Sequence, residues 1–426
     1  MLPTPASILL SLTIPVVALA EEFRANDLLV AVHGANRLAS LRPATDDVGL
    51  VESAPSLTSA APRALAFGPD GRLYVASPGA VWALDAVGLA TLVVNAGSSD
   101  IRGLAFGDGG DLLVLSGNFE FLYRYRRTET GFELDKTIPL PGTDHRALSV
   151  SPEGTIYIGA RGTILELDEA GDLIRAIPLP HVDDLPYALT FGPNGHLYAG
   201  MYLAYTAGGT ALEDRVYEII ASGTILNVIG IGSGLKRVSG LAFGPDGKLY
   251  ASSFEGDRIH VYDPETLAEL DEIVVGGFDR PYGLAFAPQR FKGKLSGAFT
   301  GSGDKIRNLS EKVVVSVAPG SNCVMIDFPQ LAETDQGFDD EFIQNALVFR
   351  VFESKLDDVP AKKRVLGGTQ MGNFLSGVGS LSVIASGKTD DHGNYRIKAL
   401  KGAVGRHGAS GGWKATLKTG MPLNMD

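Results

Sequence analysis

GLAFGPDGKLYASS, residues 240–253, reads as strand, turn, strand. Pro-Asp-Gly supplies the turn: Pro presets φ, Asp caps, and Gly accepts a positive φ. Similar stretches begin near Ala64, Gly103, Ala147, Ala188 and Gly283. The Phe or Val of each falls at Phe67, Phe106, Val150, Phe191, Phe243 and Phe286, at spacings of 39, 44, 41, 52 and 43. Self-similarity at this period marks a propeller or a solenoid. A third strand follows, as in RIHVYD (258–263), and then a fourth, as in LDEIVVGG (270–277). Four antiparallel strands per unit make a propeller blade. No segment carries the 3.6-residue period that helical repeats need.

The two ends of the repeat complete each other. The second-strand pattern occurs first as LLVAVHGANRLASL (28–41), with no first strand before it. The first-strand pattern occurs last as GLAFAP (283–288), with no second strand after it. Joining 283–288 to residues 28–56 closes a ring of six blades and removes exposed strand edges. The predicted fold class is therefore all-β: a six-bladed propeller over 21–288, followed by a smaller β-rich domain over 289–426. The spacing of 52 places an insertion over 201–214, with Tyr202, Tyr205 and Gly208-Gly209, read either as a flap on one face or as a tolerated surface loop.

The composition agrees with this division. The chain has 426 residues, with 53 Gly, 23 Pro and 45% apolar residues, enough for a core and for two domains. Its start, MLPTPASILLSLTIPVVALAEEF, has an apolar run too short to span a bilayer, then Ala18-Leu19-Ala20 and two glutamates. That is the pattern of an export signal cleaved after Ala20, although the leading segment lacks Lys or Arg. A secreted or periplasmic location follows as an expectation. No later stretch is apolar enough to span a membrane. Cys323 is the single cysteine, so no internal disulfide forms and the core must hold the fold. Asn308-Leu309-Ser310 is a lone glycosylation sequon.

GLAFGPDGKLYASSFEGDRIHVYD (240–263) resembles the six-bladed propellers of the NHL-repeat and gluconolactonase/virginiamycin B lyase group. The likeness covers about residues 24–288. It implies the fold and leaves the activity open, because that group includes hydrolases, lyases and binding modules. In the gluconolactonase members the resemblance implies a divalent metal held by Glu, Asn and Asp at the channel mouth, with Asn just before the Gly of an inner strand. Here those places read Val238-Ser239-Gly240 and Pro281-Tyr282-Gly283. In the lyase members it implies a His and a Glu with a metal near the axis. His145 and His33 are the possible counterparts, but the strand ends read Val-Ala-Ser, Ile-Gly-Ala and Ala-Ser-Ser.

Beyond Pro288 the repeat stops. FKGKLSGAFTGSG (291–303), EKVVVSVAPGSNCVMIDF (311–328), NALVFRVFESK (345–355), LSVIASGKTDDHGNYRIKAL (381–400) and WKATLKTG (413–420) read as strands and hairpins of a sandwich or small barrel. Asp390-Asp391-His392 reads as turn chemistry more readily than as a metal cluster. Residues 288–426 hold 18 Lys and Arg against 14 Asp and Glu, whereas the remainder holds 19 against 35. An acidic propeller beside a mildly basic tail serves solubility, docks the two by attraction, or places the tail on an anionic surface. With export and a pI of about 5.1, nucleic acid is not an expected partner.

The candidate site lies where the inner strands begin. In a propeller those segments ring one mouth of the channel. The residue before each Ala/Gly-Leu is Arg63, Arg102, Arg146, Tyr187, Ser239 and Tyr282 in turn, with His145 and Arg280 close by and His33 ending the second strand of the closing blade. Arginines around one concavity repel unless something anionic sits among them. Arg matches carboxylate or phosphate, and Tyr stacks or donates a hydrogen bond. Glu120, Asp183, Asp184, Glu255 and Asp257 fall in segments of the same face and offer the alternative of internal ion pairs. The expected function is an exported binding or scaffold propeller whose ligand-binding set is Arg63, Arg102, His145, Arg146, Tyr187, Arg280, Tyr282 and His33, and whose partner is an anionic small molecule, carbohydrate, cell-envelope polymer or protein. No cofactor is expected. The alternative is a metal-assisted lactone hydrolase or lyase, which would bring a divalent metal such as calcium.

Overall fold

Repeated four-strand units with one incomplete unit at each end can close into a ring by joining those ends. In the computed structural model they do so. Side chains are described over residues 24–288, apart from 43–60, 203–213, 274–278 and a few turn positions; beyond 288 the backbone of seven strands is described. Six four-stranded antiparallel sheets form. Blades 1 to 5 start with the inner strands Leu65–Phe67, Ile101–Phe106, Ala147–Val150, Leu185–Phe191 and Val238–Phe243. The sixth joins Pro281–Phe286 to Leu28–Val32, Arg37–Arg42 and Asp47–Val51. Closure is thus as the two incomplete ends of the repeat predict. Its register sets Leu28 opposite Phe286 and Val30 opposite Leu284. Asn26 N–H donates to Ala287 O at 2.9 Å, and Ala287 N–H to Asp27 O at 2.8 Å.

The repeat motif owes its residues to contacts between blades. The Tyr of each second strand meets, edge to face, the Phe of the next inner strand. The pairs are Tyr74–Phe106, Tyr157–Phe191, Tyr198–Phe243 and Tyr250–Phe286, at 4.8–5.2 Å between centroids. Such pairs add about 0.5–1.5 kcal/mol beyond area burial. Where the second strand carries Leu instead, the contact is aliphatic or mixed: Leu113 with Val150, and Leu29 with Phe67. Nearer the axis the backbones approach too closely for a side chain. A Cβ at Gly240 would collide with the Tyr282 carbonyl oxygen, and one at Gly283 with that of Arg63. Gly283 N–H also donates to Arg63 O at 2.9 Å, across the join between blades 6 and 1.

The tail strands Gln289–Thr300, Ile306–Val317, Val324–Asp327, Arg364–Thr369, Val378–Thr389, Tyr395–Arg406 and Gly412–Pro422 pair in one seven-stranded antiparallel sheet. Its first strand pairs with its last, Leu295 opposite Leu417. Among the described residues no tail strand pairs with a blade. The expected strand at 345–355, Cys323 and Asp390-Asp391-His392 lie outside the described residues, as do the leader 1–20 and most of the 201–214 insertion.

Candidate functional site

The inner strands do not enter the ring regularly. In blades 2, 4 and 5 the pairing with the second strand skips one residue: Arg102, Tyr187 and Ser239, respectively. In blade 6 the same skip falls over Tyr282 and Gly283. A bulge residue leaves the ladder and its side chain is re-aimed. Here the re-aimed residues stand at the channel mouth. The two residues ahead of Arg146, Ser239 and Tyr282 begin with Asp144, Arg237 and Arg280, all at left-handed φ of 54–58°. Such backbone costs a non-glycine residue about 1–3 kcal/mol and clusters at functional sites.

The three arginines predicted at the mouth come together, on a carboxylate absent from the expected set. Arg63 Nη1 donates to Asp100 Oδ1. Arg102 Nε donates to Asp100 Oδ2 at 2.8 Å, with its Nη2 at 2.7 Å. Arg146 reaches the same oxygen at 3.5 Å and donates to Asp144 Oδ1 at 2.8 Å. Asp144 is itself shared with Arg161, 2.8 Å away. Burial would push Asp144 up, but hydrogen bonds from Arg161 and Arg146 outweigh it and hold its pKa below the ordinary carboxylate value. Three guanidiniums therefore crowd one carboxylate whose side chain is 10% exposed. The crowding registers on Arg63, whose pKa is lowered first by burial and then by the charge of Arg102. Arg63 Nε and Arg146 Nε are buried, with no acceptor among the described residues. Gly117 makes room for this arrangement: a Cβ there would sit 2.7 Å from Arg102 Cγ.

The other half of the mouth is aromatic. Tyr187 and Tyr202 stack at 3.9 Å and 13°. Arg146 lies over the Tyr187 ring at 5.7 Å, and Arg237 over Tyr202 at 5.0 Å. Tyr282 meets Phe254 edge-on at 5.8 Å, and its hydroxyl accepts from Arg102 Nη1 at 3.4 Å. His33 packs 5.7 Å from Tyr282 and 6.0 Å from Phe254. Burial lowers its pKa, and the charge of Arg63 lowers it further. Between the halves the bore leaves about 70 Å³ of free space, room for a few waters or one small charged group. Arg63, Arg102, Tyr187 and Tyr282 line it, with a leucine from each blade further along the inner strands.

Two expected residues stand elsewhere. His145 is fully buried, its Nε2 3.0 Å from Pro141 O, and burial lowers its pKa. It stands in the segment before the inner strand Ala147–Val150, just after the left-handed Asp144. Arg280 is exposed on the outer rim, over Phe254 at 5.9 Å, and its backbone N–H donates to Asp257 Oδ1 at 2.9 Å. Ser239 joins blades: its Oγ donates to Pro281 O at 2.9 Å. Of the acidic residues, Glu255 pairs with Arg237 at 2.6 Å and Asp183 with Arg161 at 3.5 Å. Asp184 is buried beneath the surface, where it accepts from Tyr217 at 3.1 Å and burial raises its pKa.

Among the described residues the mouth does not fit a divalent metal. Such an ion needs several converging oxygens, and the positions around the axis present guanidiniums, with Asp100 and Asp144 both held by arginines. A His–Glu–Glu group occurs on the outer strands of blade 5, at His260, Glu269 and Glu272. There Glu272 also pairs with Arg258 at 2.8 Å. His260 Nε2 is buried without a partner, whereas a metal-bound imidazole normally engages its second nitrogen.

No family model matches the chain, and no curated protein matches it in sequence. Solved structures do. A chain from the crystal structure of a nidogen/laminin complex is 16% identical, with a TM-score of 0.51 over 61% of this chain and 98% of that one. A streptogramin B lyase structure is 15% identical, with a TM-score of 0.47 over 64% and 92%. A virginiamycin B lyase from Staphylococcus aureus is 14% identical, with a TM-score of 0.42 over 84% and 94%. At these identities the likeness establishes the fold, and the chain is a six-bladed β-propeller whose function must be argued from its own mouth.

Proposed function

We propose that this chain is a binding propeller that receives a small anionic group at the channel mouth. One observation carries the reading: Arg63, Arg102 and Arg146 converge on the single carboxylate of Asp100, and two of them keep buried Nε–H groups with no acceptor among the described residues. Arg63 and Arg102 line the free space, and an entering oxyanion forms charge-assisted hydrogen bonds to their guanidiniums. The free space of about 70 Å³ suits the carboxylate or phosphate of a larger ligand, not the ligand as a whole. The alternative, a metal-assisted lactonase or lyase, lacks its oxygen ligands at this mouth among the described residues. Export through the leader ending at Ala20 belongs to the same proposal. Among the described residues no helix is long and apolar enough to cross a membrane.

The test is calorimetric titration with acetate and with inorganic phosphate. Arg102→Ala should weaken binding by about 1.5–3 kcal/mol, the size of a charged hydrogen bond. Its fold should survive, because Asp100 keeps Arg63 and Arg146. Equal affinity of the parent and Arg102→Ala, or no binding by the parent, would refute the reading.

A further inference from the structure

What carries the anionic group into the bore is constrained by what surrounds it. The free space of about 70 Å³ falls well short of the roughly 300–1,000 Å³ of sites that enclose a whole small molecule. A sugar ring would have to rest outside, on the aromatic half. Among the described residues the stacked pair there is occupied by other side chains. Tyr187 and Tyr202 cover one another at 3.9 Å, and their outer faces carry Arg146 and Arg237. Phe254 carries Arg280 and meets the Tyr282 ring at 88°.

The rim adds a third constraint. Around the cationic bore, charges alternate in sign: Arg161 with Asp183, Arg237 with Glu255, and Arg280 beside Asp257. A polyanion lying across this rim would meet Asp183, Glu255 and Asp257 as well as the arginines, and like charges brought together penalise the wrong partner. A polypeptide loop is neutral along its backbone and carries its charge on one projecting side chain. It can place a carboxylate in the bore while its amides meet the mixed rim. A central arginine pocket ringed by satisfied contacts is also how protein interfaces concentrate their binding energy.

Resting on the anion-binding reading above, we infer that the partner is a protein, and that it inserts the side chain of one Asp or Glu from an exposed loop against Arg63 and Arg102, which line the bore. The rim then sets the register of the loop through its paired charges.

The experiment titrates the full chain with four probes: the peptide acetyl-Gly-Gly-Glu-Gly-Gly-amide, its Gln counterpart, acetate and polygalacturonate. The Glu peptide should bind at least as tightly as acetate and about tenfold tighter than the Gln peptide. Arg102→Ala should bring the two peptides level. Two outcomes overturn the inference while leaving the anion site standing: Glu and Gln peptides of equal affinity beside Arg102-dependent acetate binding, or polygalacturonate binding tenfold tighter than the Glu peptide. Failure of acetate and both peptides alike removes the underlying reading as well.

Discussion

Asp100→Asn removes the charge that three arginines share while keeping the shape of the side chain. Asp100 and its partners Arg63, Arg102 and Arg146 are only 10–19% exposed, so screening by solvent is weak. Breaking a buried pair costs about 3–5 kcal/mol, because the partner charge is left uncompensated. At roughly 2–4 °C per kcal/mol for a domain of this size, the melting temperature should fall by about 6–20 °C. The mechanism makes a second demand. With Asp100 neutral, the arginines should recruit an anion from solution, so added acetate should restore stability more in the variant than in the parent. Differential scanning calorimetry with and without acetate reads both. A variant that melts within about 2 °C of the parent, or whose loss is indifferent to acetate, would show that the three guanidiniums do not depend on one carboxylate.

Two further outcomes are expected. Deleting residues 21–45 removes Leu28–Val32 and Arg37–Arg42 from blade 6, and the propeller should lose cooperative unfolding altogether; a truncated chain melting at the parent temperature would contradict the closure. Burial holds Asp111 up at about 6, so the fold binds its proton more tightly than the unfolded chain does, and the stability from this group declines as pH rises from about 4 to 6. Asp111→Asn retains an acceptor for Arg127 N–H and should flatten that slope in urea titrations, gaining about 1–2 kcal/mol at pH 8 after allowance for screening.

The architecture was legible because each motif residue answers a constraint that repeats. Small residues stand where inner strands meet at the axis, Pro-Asp-Gly at the hairpins, and Tyr and Phe where neighbouring blades touch. The two unmatched ends specified the closure. The mouth was legible in part. Counting from Ala/Gly-Leu located Arg63, Arg102 and Arg146 at one repeat position, and they do converge. Asp100 was missed although it stands two residues before Arg102, because the bulge at Arg102 turns a spacing that would otherwise fix the side into a local detour. His145 shows the converse: proximity in sequence placed it at the mouth, and the irregular segment before Ala147–Val150 buries it against Pro141. Tyr202 and Phe254 carry no repeat signature. Their roles depend on stacking against Tyr187 and Tyr282, contacts that exist only once the ring is closed.

The most direct test of an anion-receiving mouth is anomalous diffraction from crystals of the parent protein soaked in bromide. The account predicts an anomalous peak in the bore, against the guanidiniums of Arg63 and Arg102 that line it, and its loss in Arg102→Ala. Bromide bound at exposed arginines such as Arg161 or Arg280, with none in the bore, would contradict it.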